Sequence, residues 1–114
     1  VVFGATFARD LKHLERRYPH IRADMAAALD LLLRVPETGV IIPDDYGMGK
    51  LRVRNRDARH GKSGGYRVIY YRLGTVWYCL ALYAKADRSD ITRYELQQLL
   101  FEIEQLEKSG SPPE

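Results

Sequence analysis

Cysteine is nearly missing from this chain: Cys79 stands alone, so no internal disulfide can form. Histidine is also sparse. His13, His20 and His60 lie far apart, and no Cys/His spacing of a metal site can be assembled from them. No apolar run approaches the roughly 18 residues that a membrane span requires, and the first residues lack the basic-then-apolar pattern of a secretory signal. A cytoplasmic protein with no membrane partner is therefore expected. Val1 in place of an initiator methionine points to the processing or trimming of a residue or two. Acidic residues are almost absent between Lys50 and Arg72, where Asp57 is the one acid among eight Lys and Arg: Lys50, Arg52, Arg54, Arg56, Arg59, Lys62, Arg67 and Arg72. That stretch carries +7 and the remainder −4, although the whole chain is only +3. The positive field is local, and a polyanion is its natural partner.

With 114 residues of which 46 % are hydrophobic, there is material for one modest core. One domain is expected over residues 1–108, followed by a Ser-Gly-Ser-Pro-Pro-Glu tail at 109–114 with nothing to bury. Val1 to Phe3 reads as a short strand. Thr6 is then placed to cap a helix carrying Phe7, Leu11, Leu14 and Tyr18, which Pro19 ends while suiting the first position of the next. A second helix, about His20 to Arg34, carries Ile21, Met25, Leu29 and Leu32 on one stripe, and Pro36 stops it. Three strands follow: Lys50 to Arg54, Tyr66 to Arg72 and Val76 to Tyr83, the last two joined as a hairpin through Leu73-Gly74-Thr75. Thr92 and Glu95 form a capping box with Ile91 and Leu96 as its hydrophobic staple, opening a last helix with the stripe Leu96, Leu99, Leu100, Ile103 and Leu106. The fold class is α+β: an N-terminal strand and helical hairpin on an antiparallel sheet, a C-terminal helix, and the helices on one sheet face.

Alternation along the first of these strands aims Lys50, Arg52 and Arg54 from one side of the sheet. Three like charges in line repel one another, and a phosphate backbone across them relieves the repulsion and releases counterions. Solvation of an open face, or protection of an edge strand, is the plainer reading of such a row. On the hairpin, Arg67, Ile69 and Tyr71 share one face, so Tyr71 is the aromatic best placed to stack an unpaired base, worth about 1 to 3 kcal/mol. Packing is the competing role for any single tyrosine. Gly61-Lys62-Ser63 is not a phosphate-binding loop, because Arg56 stands where that motif needs its first glycine. Lys62 is better read as a phosphate contact beside Gly64 and Gly65, which ease the turn into the strand. Cys79, inside an apolar strand, reads as a core residue rather than a nucleophile.

Gly-Lys-Ser-Gly-Gly-Tyr-Arg-Val-Ile-Tyr-Tyr at Gly61 to Tyr71, preceded by Lys50-Leu51-Arg52-Val53 and followed by Tyr83-Ala84-Lys85 and Asp90-Ile91-Thr92, resembles the RelE/ParE toxin superfamily, and within it the RelE/HigB-type toxins. The resemblance runs from about Phe3 to Leu106. It implies a RelE-like fold and a toxin of a type II toxin–antitoxin system: a ribonuclease that enters the ribosomal A site, cuts mRNA there without a metal or cofactor, and is neutralised by a cognate antitoxin. The implied chemistry is attack of a ribose 2′-hydroxyl on the adjacent phosphate, which needs a base, an acid and positive charge.

Residue by residue, the resemblance places Arg67 on the phosphate and Lys50 and Arg52 as the alternating basic pair. Of these Lys50 is the more credible base, because neighbouring cations can depress a lysine while a guanidinium stays charged. The arginine and tyrosine that RelE uses near its last helix fall on Ala86 and Thr92 here. Lys85 or Arg88 is the candidate for the missing charge, and Tyr83 or Tyr94 for the aromatic group; as ordinary surface residues, Lys85 and Arg88 would pair with Asp87 or Asp90. Arg54, Arg56, Arg59 and Lys62 complete the expected RNA contacts. Two other readings share the fold: a ParE-like inhibitor of DNA gyrase, and a non-catalytic relic that binds nucleic acid or antitoxin.

Overall fold

A computed structural model describes residues 1–43, 46–58 and 64–109. Strand β1 (Val2–Phe3) leads into helices α1 (Ala5–Glu15) and α2 (Ile21–Arg34). Phe7, Leu11 and Leu14 recur at helical spacing on α1 and are all buried, as are Ile21, Met25 and Leu32 on α2. Burial of side chains of this kind stabilises by about 1.5–3 kcal/mol each. Thr6 does not cap α1. Gly4 holds that position, and the Thr6 hydroxyl donates instead to Glu102 at 2.7 Å, because a carboxylate of the last helix comes within reach. Pro19 likewise precedes the N-cap His20 rather than opening α2.

Among the described residues, five strands form one sheet in the order β1-β5-β4-β3-β2, where β2 is Val40–Ile41, β3 Met48–Val53, β4 Tyr66–Leu73 and β5 Val76–Ala84. β1 lies parallel to β5 and the other pairs are antiparallel, so the sheet is mixed. The short edge strand β2 has no counterpart among the strands expected from sequence; β3 begins two residues before Lys50 and ends at Val53. Gly49 faces the Tyr70 ring so closely that a Cβ there would sit 2.2 Å from it, which explains a glycine inside a strand.

The helices do not share one face, contrary to what their amphipathic stripes suggest. Leu51, Val53, Tyr66, Val68 and Tyr70 pack with α1 and α2. Met48, Ile69, Tyr78, Leu80 and Tyr83 pack on the other side with Leu96, Leu99 and Ile103 of α3 (Arg93–Ser109). The physical reason lies in β4 and β5, which are apolar on both faces and need cover on both. Capping of α3 follows the sequence reading: the Glu95 amide donates to the Thr92 hydroxyl at 3.1 Å and the Thr92 amide donates to Glu95 at 2.8 Å. The helix runs through Ser109; residues 110–114 of the expected tail lie outside the described residues. No helix among the described residues is long and apolar enough to cross a membrane.

Candidate nucleic-acid interface

Alternation along β3 turns Leu51 and Val53 to the α1/α2 core and leaves Lys50 and Arg52 on the face of α3. Register then does what sequence cannot: Arg52 pairs with Arg67 on β4, and Arg67 with Tyr83 on β5. The three side chains form one row across three strands, roughly 10 Å wide at about 4.8 Å per strand. Two guanidinium groups directly opposite each other destabilise a sheet unless an anion lies between them. Among the described residues neither Arg52 nor Arg67 has an ion-pair partner.

Arg67 is only 8 % exposed, and its Nη1 donates to the backbone oxygens of Gly64 at 2.5 Å and Tyr66 at 3.1 Å. These bonds fix the fork without neutralising it. They depend on Gly64 and Gly65, both at φ +73°, a backbone conformation that favours glycine. Tyr83 is buried, and burial, then the charge of Asp90, raises its phenol above the ordinary tyrosine value. It therefore keeps its proton near neutral pH. Arg88 lies 5.3 Å from the Tyr83 ring centroid.

Lys50, Arg88 and Lys85, the other described candidates at this end of the face, are held by carboxylates or carbonyls. Lys50 donates to Asp90 Oδ1 at 2.6 Å, and the Tyr83 hydroxyl approaches the same oxygen at 3.4 Å. The ammonium thus meets an anion rather than the cations on which its assignment as a base relied. Arg88 makes a two-pronged pair with Glu95 at 2.7 and 2.5 Å and donates to the Asp90 carbonyl. Lys85 donates to the Ser89 carbonyl at 2.6 Å. The plain surface pairing expected for Lys85 and Arg88 is therefore not what forms: Asp87 pairs with Arg17, and Asp90 with Lys50.

Of the candidates named from sequence, Lys50, Arg52, Arg67, Tyr83, Lys85 and Arg88 come together. Arg54 and Arg56 join Arg52 along a neighbouring cleft of about 570 Å³, but Arg56 Nε is committed to the buried Asp24 at 2.8 Å. Tyr71 shares the face of Arg67 yet packs against Tyr78, with ring centroids 6.4 Å apart. Tyr94 is 69 % exposed on α3. Arg59 and Lys62 lie outside the described residues. Cys79 is buried, and burial pushes its thiol up to about 12, as a core residue requires. Sequence reasoning named Asp90 only within the Asp90-Ile91-Thr92 match and as a surface partner for Lys85 or Arg88, and Glu95 only as a capping residue; neither was among the candidate site residues.

A family model described as the RelE toxin of the RelE / RelB toxin–antitoxin system matches residues 27–109, which include the whole row. The chain belongs to the RelE toxin family. Membership in a toxin–antitoxin family implies an antitoxin as its protein partner. It also sets two departures in relief. In this RelE-family chain Ala86 offers no charge, and Thr92, at the position expected to hold an aromatic group, is the N-cap of α3.

Proposed function

We propose that this RelE-family toxin is a cytoplasmic, HigB-like endoribonuclease that cuts mRNA in the ribosomal A site through attack of a ribose 2′-hydroxyl on the neighbouring phosphate. The observation that carries the reading is the Arg52–Arg67–Tyr83 row, two unneutralised guanidinium groups beside a protonated phenol. Arg67 grips the non-bridging oxygens with its planar fork, while Arg52 and Lys50 add charge where the phosphorane becomes most negative. Tyr83 donates a proton to the departing 5′ oxygen. Arg54, with Arg52 beside it in the neighbouring cleft, guides the flanking strand by phosphate contacts.

Primer extension on translated message tests this directly. Arg67→Ala is expected to abolish breaks, and Arg67→Lys to retain a small fraction of them, since an ammonium keeps charge but not the fork. Circular dichroism checks that both variants fold. Breaks at the wild-type level from folded Arg67→Ala would remove this residue from the mechanism, and DNA supercoiling blocked without any breaks would favour gyrase inhibition. Ala86 and Thr92 favour a second reading, a relic that binds without cutting. Soluble expression in bacteria without growth arrest would select it.

A further inference from the structure

The proposed cleavage has charge and an acid but still needs a base, and Asp90 is the group placed to supply it. Its carboxylate stands at the junction of β5 and α3, with the side chain 61 % exposed. One oxygen, Oδ1, accepts from Lys50 Nζ at 2.6 Å, from the Ile91 amide at 2.8 Å and from the Tyr83 hydroxyl at 3.4 Å. A carboxylate so placed beside the phosphate-gripping row opposes RNA binding, unless it takes part in the chemistry. Tying it to Lys50 cancels that charge in the free protein. A scissile phosphate arriving on Arg52 and Arg67 offers the ammonium a competing anion. We propose that Asp90 is the general base of cleavage, held inactive by Lys50 and released when RNA draws that lysine onto the phosphate.

The step balances within these residues. The 2′-hydroxyl gives its proton to Asp90 as O2′ bonds to phosphorus; the bond from phosphorus to O5′ breaks, and O5′ takes the phenolic proton of Tyr83. The products are a 2′,3′-cyclic phosphate and a 5′-hydroxyl. Protonated Asp90 then returns its proton to the Tyr83 phenolate across their existing contact, restoring both groups. Before RNA binds, Lys50 holds the Asp90 carboxyl below its ordinary value, with burial opposing. Removing Lys50 takes away the largest of the lowering influences and raises its basicity, while the Ile91 amide and the Tyr83 hydroxyl still lower it.

This inference rests on the nuclease reading, and single-turnover cleavage on mRNA-programmed ribosomes tests the two apart. Asp90→Asn is expected to slow cleavage about 100- to 10,000-fold, the usual worth of a general base, with ribosome binding at the wild-type level or tighter. Asp90→Ala is expected to be as slow, and added formate or acetate to restore part of the rate. Cleavage by Asp90→Asn at the wild-type rate would overturn the proposal. So would slow cleavage by a normally melting Asp90→Ala that neither anion restores, because that outcome makes Asp90 a positioning residue for Lys50. Failure of the wild type to cut at all removes the nuclease reading first, and the base with it.

Discussion

Tyr66 is fully buried, and its hydroxyl has no hydrogen-bond partner among the described residues. Its ring meets Tyr18 edge-on at 5.6 Å, so the aromatic body is well packed while the polar end is stranded. A buried donor left without a partner costs about 1–3 kcal/mol. Tyr66→Phe keeps the ring and removes the stranded group, and is expected to raise stability by about 1 kcal/mol in urea unfolding. A lower urea midpoint would show that the hydroxyl does have a partner. The neighbouring Arg67 has the opposite character: its burial serves a charge that nothing among the described carboxylates meets, which is why the two adjacent residues take such different roles.

The cap of α3 joins the fold to the site. Glu95 accepts from the Thr92 amide and hydroxyl and from Arg88, and the Arg88 guanidinium is the main reason its carboxyl falls from the ordinary 4.5 to about 2. The folded value lies below the unfolded one, so this contribution is fully present above about pH 4.5 and is lost as pH falls toward 2. Both side chains are partly open to solvent, which keeps the contribution modest. Glu95→Gln is expected to flatten the acid limb of stability across that window, read by denaturant titrations at several pH values. An unchanged acid limb would mean that other carboxylates set it. The capping box was readable because it spans four consecutive residues. The Arg88–Glu95 pair was not, since it requires the segment before α3 to fold back on the helix.

Across the whole molecule, described cations that look equivalent in sequence divide into two kinds. Lys50 and Arg52 lie on the α3 face of the sheet, proposed above to meet phosphate, whereas Arg56 ties the segment after β3 to the buried Asp24 of α2. On a single-stranded RNA oligonucleotide, Lys50→Ala and Arg52→Ala are each expected to reduce the salt dependence of binding by about 0.7 in the log–log slope. Arg56→Ala is expected to leave that slope nearly unchanged and to lower stability by about 1 kcal/mol, because Asp24 Oδ1 loses the Arg56 Nε donor while Oδ2 keeps the Arg56 backbone amide. Fluorescence anisotropy at several salt concentrations, beside urea unfolding, separates the groups; equal slope changes for all three would erase the division. Local patterns in the chain were enough to determine the helices, the hairpin, the α3 cap, the basic face of β3 and the family, because each depends on neighbours a few residues apart. Tertiary structure alone decided that α3 takes the second sheet face, that Arg52 and Arg67 stand opposite each other beside Tyr83, and that Asp90 meets Lys50. Those outcomes follow from strand register and from one helix returning across the sheet, and contacts between residues 15 to 40 positions apart leave no periodic trace in the order of amino acids.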